Sequence, residues 1–112
     1  QGSNKENIDL PVITLLFNQG DTALNDEVKK RLNNDVINAL KTYPDMRIEI
    51  KSFAEPIDDS PSSARRTSLA RALAIRDHIL NHNIASHRMD LRALGQQTNK
   101  LPIDRTEIVL LP

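Results

Sequence analysis

The sequence predicts an α+β fold in which two helices pack on one face of a four-stranded mixed sheet. A β-branched apolar run over 11–17 and an alternating apolar and charged run over 46–53 are typical of strands. Residues 67–80 contain neither Gly nor Pro and repeat their apolar side chains at helical spacing. With two shorter strands near the end, 112 residues make one domain in the order β-α-β-α-β-β.

The first strand and the first helix have clear boundaries. Pro11 and a polar, glycine-containing turn over 18–21 enclose the strand. Asn25 can then cap a helix, whose apolar residues recur at every fourth position from Val28 to Leu40. We expect this helix to end near Thr42, because a residue that precedes proline, here Pro44, disfavours helical geometry. The alternating strand over 46–53 follows, with one face buried.

The second helix has two plausible starts, one at Ser60 as N-cap with Pro61 in the first helical position and one nearer Ala64. It should end at 81–83, where Asn can adopt the left-handed conformation. Arg71 falls at the edge of the helix's apolar arc, so its guanidinium needs a carboxylate from this chain or from a ligand. At about 100° per residue, that arc contains Leu69, Ala72, Leu73, Ile75, Ile79 and Leu80.

The last third of the chain predicts two more strands. Residues 89–93 alternate apolar and charged side chains, residues 95–102 are polar and loop-like, and residues 107–111 form a short apolar run. A strand that returns after a helix usually lies parallel to its neighbour. For the last strand the pattern leaves two positions open, at an edge of the sheet or between other strands.

Composition excludes several classes of function. The 15 basic and 15 acidic residues cancel, and two Phe and one Tyr are too few for base stacking, so we expect no nucleic-acid partner. Without cysteine there is no disulfide, thiol catalysis or zinc-thiolate site. No apolar run is long enough for membrane insertion by this chain. We expect residues 1–9 to be a disordered tail that begins with a cloning scar, and residues 10–112 to be the domain.

No pattern of catalytic or metal-binding residues stands out. The serines lack the glycine pattern of a nucleophile elbow, and the three glycines do not form a phosphate-binding loop. His78 and His82 are spaced to share a metal, but histidines are also favoured at the end of a helix. Arg65 and Arg66 could form a basic stripe with Arg76 for an anionic partner such as a glycan or phosphate. With Asp58 and Asp59 nearby, they are better explained as a solvated helix face. We therefore expect a binding module that is not an enzyme and has no metal and no cofactor.

The candidate binding site consists of Glu55 and Arg71. Glu55 directly follows the second strand and Arg71 lies in the early turns of the next helix, so the two meet above the strand end. Glu55 could accept an ammonium group while Arg71 forks onto a carboxylate of the same ligand. Alternatively, Glu55 and Arg71 form a direct ion pair that only fixes the loop.

Five short motifs follow one another along nearly the whole of 12–111. They are Phe17 with Gly20 and Leu24; Ile48-Glu49-Ile50 with Phe53-Ala54-Glu55; Thr67-Ser68 with Arg71-Ala72 and Ile75; Ile84 with Arg88 and Gly95; and Asp104-Arg105. In this order they resemble the OmpA-like C-terminal domain family.

The resemblance implies non-covalent binding to peptidoglycan through the diaminopimelate of the stem peptide. Arg71 matches the arginine that holds the diaminopimelate carboxylate, and Glu55 stands where the family usually has the aspartate that takes the amino group. Ala64 stands where an Asn is common. The site residues implied are Ser52, Phe53, Ala54, Glu55, Thr67, Ser68, Arg71 and Arg105.

The same resemblance places the domain in a bacterial periplasm, where it would tether a protein anchored in the inner or outer membrane to the cell wall. Whether it also binds another protein or a second copy of itself stays open. The alternative function is that of a degenerate domain with a closed pocket, which serves as a scaffold for protein–protein interaction.

Overall fold

A computed structural model of the chain describes residues 10–112, so the predicted tail over 1–9 lies outside the described residues. Four strands and two long helices alternate in the predicted order. We number the strands β1 to β4 and call the helices α1 and α2. The strands are Val12–Leu16 (β1), Arg47–Phe53 (β2), Met89–Gly95 (β3) and Arg105–Leu111 (β4). Helix α1 is continuous over 26–42 and helix α2 is Pro61–Leu80; a 3-10 turn, Ser86–Arg88, precedes β3.

The sheet has the order β1-β4-β2-β3. Of the two positions that the sequence left open for the last strand, the one between other strands is therefore correct. Strand β4 lies between β1 and β2 and is antiparallel to both, whereas β2 and β3 are parallel. The register aligns Ile13 with Ile108 and Ile108 with Ile50, so an apolar row crosses three strands. Both helices contribute side chains to the core on this face, which confirms the predicted α+β architecture.

Helix α1 begins as predicted, with the Asn25 side chain accepting a hydrogen bond from the backbone N–H of Val28 at 2.8 Å. It ends at Thr42, also as predicted. Its middle differs from the expected regular α-helix, because Leu32–Ile37 is a π-helical segment between α-helical turns Asp26–Arg31 and Asn38–Thr42. Within this segment Leu32, Val36 and Ile37 are buried in the core.

Helix α2 starts at the first of the two predicted positions. Ser60 is the N-cap, its side chain accepts from the Ser63 N–H, and Pro61 is the first helical residue. Beyond its end, Asn83 has the expected left-handed conformation, with a φ of 65°.

The predicted buried arc of α2 was partly wrong. Leu69 is 44% exposed, and Leu73 and Leu80 are half-buried, whereas Arg71, predicted at the edge, is fully buried. The first half of the helix packs small and polar side chains against the sheet, and only its second half packs large apolar ones. The buried residues are Ser63, Ala64, Thr67, Ser68, Arg71, Ala72, Ile75 and Ile79.

Candidate functional site

The candidate site lies at one end of the sheet, where β1 and β2 end and the antiparallel β4 begins. The chain segments that meet there are 17–21, which follows β1; 53–55, at the end of β2; and 102–105, at the start of β4. Helix α2 crosses this end of the sheet with its first three turns, which places Arg71 among the three segments. The central position of β4 is therefore what creates the site.

Arg71 lies at the centre of this end of the sheet and is completely enclosed. Its Nε donates to the carbonyl oxygen of Asp21 at 2.6 Å, and one Nη donates to the carbonyl of Asn18 at 2.9 Å. The other Nη donates to the carbonyl of Phe53 at 3.0 Å. The fixed fork of the guanidinium thus joins the turn after β1 to the end of β2.

The carboxylate partner of Arg71 comes from this chain and is Asp104. Arg71 Nη1 lies 2.9 Å from Asp104 Oδ1, and the two side chains are 0% and 9% exposed. The same Oδ1 accepts a hydrogen bond from the backbone N–H of Glu55 at 3.1 Å. The guanidinium carbon also lies 4.7 Å from the centre of the Phe17 ring. We call the set Phe17, Asn18, Asp21, Phe53, Glu55, Arg71 and Asp104 the arginine corner.

Glu55 belongs to the arginine corner through its backbone, while its side chain is exposed. The direct ion pair between Glu55 and Arg71 does not occur in the described part of the chain, where the only carboxylate paired with Arg71 is that of Asp104. Glu55 and Arg71 are nevertheless neighbours, because both bond to the same Asp104 oxygen. The exposed Glu55 carboxylate remains available to a ligand, whereas no face of the guanidinium is open to solvent.

Four further predicted site residues lie buried beneath the corner. Ser52 and Thr67 are buried, and the Ser52 hydroxyl lies 3.1 Å from that of Thr106. The N–H of Ala54 donates to the Gly95 carbonyl at 2.8 Å, and the N–H of Gly95 donates to the Ser68 hydroxyl at 3.1 Å. These bonds fix the end of β2 and of β3 against α2, so they hold the corner in shape.

Phe53 belongs to the arginine corner only through its carbonyl, because its side chain and that of Arg105 lie on the opposite face of the sheet. They are cross-strand partners, and the Arg105 guanidinium lies 4.3 Å from the centre of the Phe53 ring. Arg105 also donates to Glu107 Oε2 at 2.8 Å and to the carbonyl of Pro102 at 2.9 Å. It therefore fastens the loop that leads into β4.

A cleft of about 300 Å³ opens beside the arginine corner. Three of its lining residues, Phe17, Asn18 and Asp21, also contact Arg71, so a ligand in the cleft would lie on the outer side of the turn after β1. The other lining residues are Leu16, Ala23, Asn25, Val28 and Pro102. Within the described residues, the corner and this lining contain one cation, Arg71, and three carboxylates, those of Asp21, Glu55 and Asp104.

The other charged candidates lie apart from the corner. Arg65 and Arg66 are exposed, as the prediction of a solvated face requires. Neighbouring polar groups, the Ser63 side chain foremost, lower the pKa of the exposed Asp58. Arg76 is half-buried, and its nearest carboxylate, 3.4 Å away, is that of the adjacent Asp77.

The histidines at the end of α2 are part of a helix contact. His78 Nε2 lies 2.8 Å from Asn33 Oδ1 in the π-helical segment of α1, and His82 Nδ1 lies 2.9 Å from the His78 carbonyl. Burial, and next the neighbouring His82 and Lys29, lower the pKa of His78. Across residues 10–112, no group of three or more His, Asp or Glu side chains is arranged to hold a metal ion.

Sequence reasoning missed Asp104 as the partner of Arg71, and missed the three carbonyl acceptors. It did predict that the buried edge of α2 would need a carboxylate for Arg71. The signal for Asp104 was its position directly before the last strand, but it becomes informative only once that strand is placed beside β2.

Solved structures with this fold support the architecture. The OmpA-like domain of FopA1 from Francisella tularensis has a TM-score of 0.77 at 18% identity, covering 90% of this chain and 72% of that one. The periplasmic domain of Helicobacter pylori MotB has a TM-score of 0.73 at 14% identity, with coverages of 93% and 78%. The peptidoglycan-associated lipoprotein of Burkholderia pseudomallei has a TM-score of 0.71 at 16% identity, covering 87% of this chain and 88% of that one. At these identities the likeness shows the fold.

None of the helices in the described part of the chain is long and apolar enough to cross a membrane.

The family is shown by the sequence itself. No curated protein sequence is similar enough to count as a match. The family model for OmpA, however, matches residues 16–107, which include every residue of the arginine corner. The chain therefore belongs to the OmpA family, whose domains are non-catalytic peptidoglycan-binding modules.

Proposed function

We propose that this domain binds peptidoglycan non-covalently at the arginine corner, through the diaminopimelate of the stem peptide. The observation that carries the proposal is the match of the OmpA family model over 16–107, because that range contains the whole corner. The cleft of about 300 Å³ beside the corner is large enough to receive a side chain that carries a charged end group.

The two central residues have different roles in this proposal. Glu55 is exposed at the tip of β2 and accepts the ligand's ammonium group. Arg71 cannot be reached from solvent, so it acts first as a positioning residue that holds the turn after β1, the end of β2 and Asp104 together. A direct bond from Arg71 to a ligand carboxylate would require Asp104 or a carbonyl acceptor to move away.

The site of action follows from the same relatives. MotB is represented by its periplasmic domain, and the Burkholderia protein is a lipoprotein. We infer that the present domain also works in a periplasm, where it tethers a protein anchored in the inner or outer membrane to the cell wall.

Co-sedimentation with purified sacculi tests the proposal. The wild-type domain should sediment with the sacculi, and Glu55→Gln, which removes one exposed charge without changing the side-chain shape, should be retained several-fold less. Asp45→Asn is the matched control, because Asp45 is exposed and precedes β2 at the opposite end of the sheet. If the wild type stays in the supernatant, or if both variants sediment equally well, the assigned role of the corner is wrong.

Two further variants refine the roles. Arg71→Ala should abolish sedimentation with sacculi. Circular dichroism of the same variant measures its folded fraction, so that a loss of binding is distinguished from a loss of folding. Glu55→Asp restores the acid that the family usually has. If the sacculi retain this variant more tightly than the wild type, the longer side chain of Glu55 weakens binding.

One observation favours a second function, that of a scaffold for protein–protein interaction. Arg71 is enclosed by groups of its own chain, as expected for a pocket that has lost its ligand. A folded wild-type domain that fails to sediment with sacculi would support this second function over the first.

A further inference from the structure

The charges of the arginine corner indicate which form of the stem peptide it accepts; this inference rests on the proposed function. Arg71 is the one cation among the described residues of the corner and the cleft lining. Its charge is already matched by Asp104 at 2.9 Å. Glu55 and Asp21 then remain as exposed carboxylates, and Asp21 also lines the cleft, so the unmatched charge of the corner is negative.

Asp104 occupies the place on Arg71 that a ligand carboxylate would otherwise take. Its Oδ1 accepts hydrogen bonds from Arg71 Nη1 and from the N–H of Glu55. Its Oδ2 accepts none from the described residues, and Oδ2 is not among their fully buried, unpartnered atoms. Asp104 itself is 7% exposed, so its carboxylate lies at the rim of the buried corner.

A second carboxylate brought to this place is unfavourable for two physical reasons. Like charges a few ångströms apart in a partly buried site repel each other. The guanidinium also has no open donor pair to offer, because its Nε and both its Nη atoms already donate to the chain. An ammonium group, by contrast, finds the exposed Glu55 carboxylate as an acceptor and gains from the negative charge of Asp104 at the same corner.

We infer that Asp104 is a specificity-determining residue, which makes the corner select a stem peptide whose diaminopimelate side chain ends in an ammonium group beside an uncharged carboxamide. The form with a free carboxylate at that position is disfavoured. Asp104 acts by keeping Arg71 neutralised and by adding its own negative charge to the corner, and no covalent step is involved.

Titration calorimetry with two soluble stem peptides tests the inference. The peptides differ only at the side-chain carboxyl of diaminopimelate, which is a free carboxylate in one and a carboxamide in the other. The wild-type domain should bind the carboxamide form about tenfold more tightly, since one unfavourable contact between charges is removed. Asp104→Asn should remove this preference, because the Asn oxygen still accepts from Arg71 and Glu55 but carries no charge. Asp45→Asn, with the same change in net charge, should keep the wild-type preference.

Each other outcome has one meaning. A wild type that prefers the free carboxylate, or an Asp104→Asn variant that is folded and keeps the wild-type ratio, overturns the inference. If Asp104→Asn does not fold, the inference is tested by the ratio of the wild-type affinities for the carboxamide and carboxylate peptides alone. If neither peptide binds but intact sacculi still retain the domain, the inference is wrong while binding to peptidoglycan itself stands. If sacculi fail as well, the proposed function is wrong.

Discussion

Replacing Arg71 with Met tests how much the arginine corner contributes to folding. Methionine keeps much of the buried volume of the side chain but removes the charge and every hydrogen bond. The change removes the guanidinium donors from the carbonyls of Asn18, Asp21 and Phe53 and leaves the 9% exposed Asp104 carboxylate without its cation. Breaking a buried ion pair on one side costs about 3–5 kcal/mol, so we expect a loss of about that size.

That loss is large for a domain of 112 residues, whose total stability should be about 5–15 kcal/mol. Urea unfolding at 25 °C, followed by circular dichroism, measures it as a shift of the midpoint at unchanged m value. Arg76→Met is the matched control, because Arg76 lies in the same helix, is half-buried and pairs only with the exposed Asp77. We expect this control to cost less than about 1 kcal/mol.

A double-mutant cycle separates the ion pair from the carbonyl bonds. Asp104→Ala alone should cost about 2–4 kcal/mol, because it leaves the guanidinium buried with an unmatched charge. The double variant should be less destabilised than the sum of the two single variants by about 1–3 kcal/mol. Additive losses, or a loss below about 1 kcal/mol for Arg71→Met, would refute the conclusion that the pair organises the corner.

Three further predictions concern the frame around the site. Gly95→Ala should destabilise by about 1–3 kcal/mol in urea unfolding, because Gly95 has a φ of +58° and an added Cβ would lie 3.3 Å from the backbone nitrogen of Arg65. Ser60→Ala should cost about 1 kcal/mol in the same assay, because Ser60 caps α2 through the Ser63 N–H, whereas Ser60→Asp should cost little. The lowered pKa of His78 means that the unfolded chain takes up a proton near pH 6.5 and the folded chain only at lower pH, so the free energy of unfolding should fall as pH drops below about 6.5. His78→Gln should flatten this dependence, and equal slopes for both proteins would contradict the assignment.

Local sequence signals predicted the elements of the fold well because each depends on chemistry within a few residues. The Ser60–Pro61 start of α2, the Asn25 cap and the alternation of β2 all follow from backbone and side-chain rules that act locally. The π-helical segment was not predicted in this way, because the apolar residues from Val28 to Leu40 recur at the spacing of a regular α-helix.

The candidate site was predicted less completely, since it depends on contacts between distant parts of the chain. Helical arithmetic placed Arg71 at the rim and Leu69 in the core, and the structure reverses the two. Three backbone carbonyls and Asp104 converge on Arg71 only after β4 inserts between β1 and β2, and that order is a property of the whole sheet. Sequence reasoning found the right residue but assigned it too exposed an environment.

The central claim, that the arginine corner is where peptidoglycan binds, is tested most directly by mapping the contact on the folded domain. Backbone amide NMR shifts should be recorded while a soluble stem peptide that contains diaminopimelate is added to the wild-type domain. We expect the perturbed amides to lie at 17–21, 53–55 and 103–105, with no change at the opposite end of the sheet around 43–46. Shifts confined to 43–46, or no shifts with a peptide that competes with sacculi for the domain, would contradict the claim.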